Sequence, residues 1–201
     1  MRVNRRTQRE RTDATRAALV AAGRKLFASH GYAHVSAEAL VRAAGLSRGA
    51  LYHQFGGKRE LFAAVLEAVE QETVERIAQL LAGVADAREA LIAGVDAWLE
   101  ACADPEVEQI VLVDGPSVLG WEEFRALSMR HGLGVVEAVL GAAVEGGFLP
   151  AQPLRPLAHV LGGALDEAAL YVARAEDQVA ARAEMSRVLR DLVSALLSRG
   201  G

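Results

Sequence analysis

Residues 35–62, VSAEALVRAAGLSRGALYHQFGGKRELF, constrain this chain more than any other stretch. They spell two short helices, a tight turn between them, and the start of a third. Ser36 is placed to cap the first helix by accepting a hydrogen bond from an orphan backbone N–H, with Val35 and Leu40 at the two ends of a hydrophobic staple. Glu38 adds negative charge in the first turn, where the helix dipole favours it. Gly45, within Ala44-Gly45-Leu46, supplies the left-handed backbone that a sharp reversal needs, and Ser47 caps the next helix.

That second helix, about Ser47 to His53, is too short to stand alone and must be held by its neighbours. Leu46, Leu51 and Phe55 are the expected anchors. With Leu51 turned inward, Arg48, Gly49, Tyr52 and His53 face outward, and Gly49 removes bulk that would keep a backbone away from a ligand. A pair of helices joined this way presents the second one to the major groove of DNA while the first crosses the phosphates.

Charge supports that partner. The chain has 201 residues, 52% of them hydrophobic, and a net charge of −4. Residues 1–60 carry 12 Arg or Lys against 4 Asp or Glu, whereas the remainder carries 10 against 22. A basic head on an acidic body is the distribution expected when only one end neutralises phosphates. Residues 1–12, with Arg2, Arg5, Arg6, Arg9 and Arg11 and almost nothing apolar, read as a flexible basic arm. Such an arm serves either to track DNA or only as a solubilising tail.

The run from Ala17 to Leu66, above all Gly31-Tyr32, the twelve residues from Ala44 to Phe55, and Lys58, resembles the DNA-binding domain of TetR-family transcriptional regulators. The resemblance implies an all-α fold of about nine helices and a homodimer on a palindromic double-stranded operator. It implies DNA contacts from Ser36, Ser47, Arg48, Gly49, Ala50, Tyr52, His53 and Lys58. Two departures stand out. Gly56-Gly57 replaces the proline, serine or asparagine more usual before the lysine, loosening the turn and weakening the cap. Ala50 stands where many relatives have threonine or serine, leaving a methyl to meet a thymine methyl.

The expected organisation is an arm over 1–12, a helix-turn-helix domain over 13–57 whose first helix starts near Asp13, a connecting helix over 58–81, and a ligand-binding and dimerisation domain over 82–201. The connecting helix, about 35 Å long at 1.5 Å per residue, is the natural lever between head and body. Punctuation at Gly83, Asp104-Pro105, Asp114-Gly115-Pro116, Gly146-Gly147 and Pro150–Pro156 divides the body into helices near 86–103, 106–113, 120–145, 156–174 and 177–198. The last two offer more apolar surface than one chain of this size needs, with Gly162-Gly163 and Ala164 allowing close helix approach. In the family these two helices form the dimer interface; as a plain sequence pattern they also fit the core of a monomer.

The resemblance further implies a small-molecule cavity in the body. Candidate lining residues are Trp98, Cys102, Trp121, Phe124, His131, His159 and Asp166, each with an ordinary packing or surface role as its alternative. Asp166 is the most informative, because a carboxylate within LGGALDEAAL must face solvent, pair at an interface, or find a partner inside a cavity. No nucleophile elbow, phosphate loop or HExxH sequence is present, and no Cys/His cluster has zinc spacing, so neither catalysis, a metal nor a cofactor is expected. The single cysteine fits a reducing compartment. No signal sequence and no membrane-spanning stretch are read, and the expected location is the cytoplasm. The functional expectation is a repressor released from its operator by an apolar or amphipathic ligand. The alternatives are a regulator that senses no small molecule and, further off, a helical enzyme using Cys102 with His131 or His159.

Overall fold

The computed structural model describes residues 3–197, and among them every regular element is helical. Helix α1 spans Val3–His30, α2 Ala37–Ala43, α3 Arg48–Phe55, α4 Lys58–Ala82, α5 Ala87–Ala101, α6 Pro105–Val107, α7 Gly115–Leu119, α8 Trp121–Glu145, α9 Leu154–Ala173 and α10 Gln178–Leu197. A short 3₁₀ turn, Tyr32–His34, precedes α2, and a π-helical segment, Glu108–Asp114, joins α6 to α7.

Two sequence expectations about these elements are corrected. The first concerns the arm: α1 starts at Val3, ten residues before Asp13, so residues 3–12 continue the helix; Arg2 lies outside the described residues. Nothing in 3–12 breaks a helix, and a helix nucleated by its packed C-terminal half extends at little cost. The second concerns Asp114-Gly115-Pro116, which does not interrupt the chain. Pro116 falls in the first turn of α7, where a missing N–H is tolerated. Gly115 is buried, and a Cβ there would lie 2.8 Å from Leu66 Cδ1 and 3.0 Å from the Phe124 ring, so this glycine serves close approach rather than turning.

The core falls into two clusters. One runs from Leu19, Phe27, Leu40 and Leu51 in the first three helices, through Leu61, Phe62, Val65 and Leu66 of α4, to Ile110, Val111, Phe124 and Leu170 of the body. The head therefore shares its core with the body, and α4 is common to both. The second cluster joins α5, α8, α9 and α10 through Val95, Leu133, Leu140, Ala158, Leu161, Leu189 and Val193.

Helix α8 requires a further correction. By length and composition alone it is long and apolar enough to cross a membrane, contrary to the sequence reading. Only 22% of its apolar stretch is buried, through residues such as Phe124, Leu127, Leu133, Leu140 and Ala143, where α8 packs against α4, α5 and α9 of the same chain. Gly162 and Gly163 serve that packing as well. A Cβ on Gly162 would lie 3.1 Å from Met129 Cε, and one on Gly163 would lie 3.2 Å from Arg125 Nη2, so the helix they admit closely is α8.

Candidate DNA interface and internal cavity

The turn between α2 and α3 is built by local chemistry. Ser36 Oγ accepts the Ala39 N–H at 3.1 Å and Ser47 Oγ accepts the Ala50 N–H at 3.2 Å. Each hydroxyl accepts through its oxygen and keeps its own proton to donate. Gly45 sits at φ 66°, where a side chain is strained. Leu51 is completely buried, while Leu46 and Phe55 are only half-buried; the Arg16 guanidinium covers the Phe55 ring at 4.4 Å.

Arg48, Gly49, Tyr52 and His53 lie exposed on the outer side of α3, with Ala50 half-buried beside them. Arg48 is steered by Glu38 of α2 at 2.8 Å and lies over the Tyr52 ring. Both partners of this ion pair are solvated, so it orients the side chain more than it stabilises the fold. A Cβ on Gly49 would meet only Ser47 Oγ, at 3.8 Å. The fold leaves room for a side chain there.

Lys58 opens α4, whose N-cap Gly57 makes no side-chain cap bond. Its Nζ lies 3.8 Å from the centre of the Tyr32 ring, and Tyr32 in turn packs edge-on against Phe62 at 5.1 Å. Burial draws the Lys58 pKa below the usual lysine value, with nearby Asp114 opposing the shift.

Three polar links fasten the body to this head. Arg24 of α1 holds Glu106 through two hydrogen bonds of 2.7 Å and Glu72 of α4 through a third of 2.6 Å. The Tyr32 N–H donates to Asp114 Oδ2 at 2.7 Å. Arg59 of α4 reaches the Leu119 carbonyl and Glu123 at 3.2 and 2.7 Å. Two of the body partners, Glu106 and Asp114, lie beside or at the end of the π segment, an i→i+5 arrangement that is rare and concentrates at functional sites, while Leu119 and Glu123 belong to α7 and the first turn of α8.

Inside the body a partly open cavity of about 120 Å³ lies between α4, α5, α8, α9 and α10. Its wall is almost wholly apolar, including Val74, Ile77, Leu91, Val95, Leu133, Val136, Leu161 and Val193. The polar exceptions are Ser128 and two carboxyl groups, Glu70 and Asp166. Asp166 pairs with Arg125; burial raises its pKa to about 6 against the pull of that arginine. Glu70 is 4% exposed, and its Oε1 accepts from Ser128 Oγ at 2.7 Å. Its Oε2 is buried without a hydrogen-bond partner in the structure. Burial pushes this carboxyl up to about 7; Asp166 and Glu67 push the same way and the Ser128 bond opposes them.

Of the seven lining residues expected from sequence, the structure brings Trp98 and Asp166 to the wall, Trp98 with its indole N–H given to the Leu165 carbonyl at 3.1 Å. The other five lie elsewhere. Cys102 and Phe124 are buried in the core cluster shared with the head, and burial drives the Cys102 thiol far up, out of nucleophile range. Trp121 is 57% exposed at the start of α8. His131 turns to Glu67 at 3.3 Å, and His159 is exposed on the outside of α9. Glu70 was not anticipated, although the pattern held the signal: it stands at helical spacing between Leu66, Val74 and Ile77 on the apolar side of α4. Among the described residues no group of three or more His, Cys, Asp or Glu is placed to hold a metal ion.

Residues 19–65 match the model of bacterial regulatory proteins of the tetR family, and residues 88–196 match that of the tetracyclin repressor-like C-terminal domain. The chain is 34% identical to a TetR-family transcriptional regulator from Pectobacterium atrosepticum, whose crystal structure superposes with a TM-score of 0.85 over 94% of this chain and 97% of that one. It is 24% identical to the transposon Tn10 TetC protein of Escherichia coli over 80% of this chain and 81% of the relative. RolR, solved in complex with its ligand resorcinol, shares the fold at 20% identity and a TM-score of 0.72, over 92% of this chain and 95% of that one. The two matched regions, one the basic head and the other the body around the cavity, together with the likeness over nearly the full length of a solved regulator, place this chain in the TetR family of DNA-binding, non-enzymatic transcriptional regulators.

Proposed function

We propose that this protein is a homodimeric repressor that leaves a palindromic operator when a small, largely apolar molecule enters the body cavity. One observation carries the reading: α4 is a single helix that begins at Lys58, beside the recognition helix, and supplies Glu70, Val74, Ile77 and Leu81 to the cavity wall. A ligand that favours one seating of α4 therefore also favours one placement of α3, and mis-spaced recognition helices fail to reach both half-sites. RolR, with resorcinol in its structure, is a precedent for ligand binding within this fold.

The dimer is supported by apolar residues left exposed on the last two helices. Val160 and Tyr171 of α9 are 68% and 54% exposed, and Val179 and Val188 of α10 are 71% and 60% exposed. Two such helices doubled across a two-fold axis bury a continuous apolar face.

The test is to select duplexes from a random library, then measure affinity for the recovered sequence with and without a panel of small apolar molecules. The expected result is an inverted repeat, bound by a dimer and released by at least one compound. The double variant Val160→Glu, Val188→Glu should run as a monomer and lose the inverted repeat while staying folded. Recovery of a single half-site bound equally well by the monomeric variant would overturn the dimer reading, and unchanged affinity across the panel would overturn the ligand switch.

A further inference from the structure

We infer that the cavity is made for a cation: an apolar molecule bearing one protonated amine, which Glu70 receives. The inference rests on reading the cavity as the effector site and names the chemistry that the site selects.

The wall offers hydrocarbon on nearly every side, and one of its few polar residues, Glu70, has a buried oxygen without a hydrogen-bond partner. Glu70 Oε1 is engaged by Ser128, and the Asp166 carboxylate is engaged by Arg125; Glu70 Oε2 is left buried without a donor. A buried acceptor left unmatched is costly, so a ligand that brings a donor to this point gains more than one that brings only hydrocarbon. Charge then separates the donors. Glu70 and Asp166 carry two negative charges when ionised, and Arg125 cancels one. An incoming ammonium cancels the second, a neutral hydroxyl leaves it standing, and a carboxylate adds a third.

Position makes the pairing useful. Glu70 belongs to α4, so the charged end of the ligand acts on the helix that carries Lys58. The groups around Glu70 are Glu67 on its own helix, Arg125, Ser128 and His131 on α8, Asp166 on α9, and the Cys102 thiol after α5. Burial keeps the free Glu70 carboxyl near a pKa of about 7. An ammonium at Oε2 stabilises the ionised form, so amine binding below that pH expels a proton and weakens as the pH falls.

Titration calorimetry on the full-length chain tests this with three molecules that share one apolar body: 4-phenylbutylamine, 4-phenylbutanol and 4-phenylbutyrate. At pH 8 the amine should bind at least about tenfold more tightly than the alcohol, and the acid should not bind measurably. At pH 6 the amine's lead should shrink. Glu70→Gln, which keeps the shape and removes the charge, should abolish that lead while the alcohol still binds measurably, a result that also shows the variant cavity to be intact. Equal binding of amine and alcohol to wild type, or a lead that survives Glu70→Gln, overturns the inference and leaves the cavity as an effector site. No binding of any of the three overturns both.

Discussion

The Asp114 carboxylate of the body and the backbone N–H of Tyr32 in the head meet at 2.7 Å across 82 positions of sequence. Tyr32 opens the 3₁₀ turn that leads into α2, and its ring is the surface on which Lys58 rests. One hydrogen bond thus fixes the loop entering the helix-turn-helix to the end of the π segment. Asp114→Ala should lower unfolding stability by about 1–2 kcal/mol, the cost of stripping a part-buried donor of its acceptor. It should also release the Tyr32 amide to hydrogen exchange, whereas Asp114→Asn, which retains a carbonyl acceptor, should keep most of the protection. Unchanged exchange at Tyr32 in the alanine variant would show that the bond does not hold the loop.

Two glycines should behave in opposite ways. Gly49→Ala places a methyl where only Ser47 Oγ lies nearby, at 3.8 Å, so stability should hold or rise by up to about 1 kcal/mol while operator affinity falls. Gly115→Ala drives a methyl into Leu66 and Phe124 and should cost about 1–3 kcal/mol. Thermal unfolding paired with a DNA-binding titration separates the two; a destabilised Gly49→Ala chain with full affinity would refute the interface drawn around α3.

Lys58→Ala should weaken binding to operator and to unrelated duplex by similar factors and reduce the slope of log affinity against log salt by about 1. The effect follows from a cation at the N-terminus of α4, where the helix dipole adds to its attraction for phosphate. A salt slope equal to wild type would remove Lys58 from the contact.

The pH dependence of stability follows from Glu70 and Asp166. Their pKa values rise from 4.5 to about 7 and from 3.8 to about 6, burial being the main cause in both. A carboxyl raised in the folded state binds its proton more tightly there than in the unfolded chain, so stability falls as the pH climbs from about 4 toward 7 and levels off above. For Glu70 the loss is of the order of 3 kcal/mol. The stability of Glu70→Gln relative to wild type should therefore grow from pH 5 to pH 8 in denaturant unfolding. A gap that does not change with pH would contradict the raised carboxyl.

The parts legible in the sequence are those decided within a few residues. Ser36, Gly45 and Ser47 act on backbone groups three positions away or on their own φ, so the turn and its caps can be read without knowing what surrounds them. The connecting helix was equally plain from its stripe of Leu61, Phe62, Val65 and Val69. The cavity wall was not, because its members come from five helices and only their packing decides which side faces inward. Phe124 went to the shared core and Trp121 to the surface although both carry the aromatic character expected of a ligand site. Asp114 reads as punctuation beside Gly115-Pro116, because a contact 82 residues away leaves no local trace. The π segment escaped for a related reason: three successive buried residues, Ile110, Val111 and Leu112, break helical periodicity only once the neighbours crowding them are known.

The recognition helix has one fully buried side chain, Leu51, and leaves Arg48, Gly49, Tyr52 and His53 facing away from the core. Substitution at those four exposed positions leaves the packing beneath them as it is. If those four positions read the operator, a new regulatory address would need substitution only on a finished scaffold.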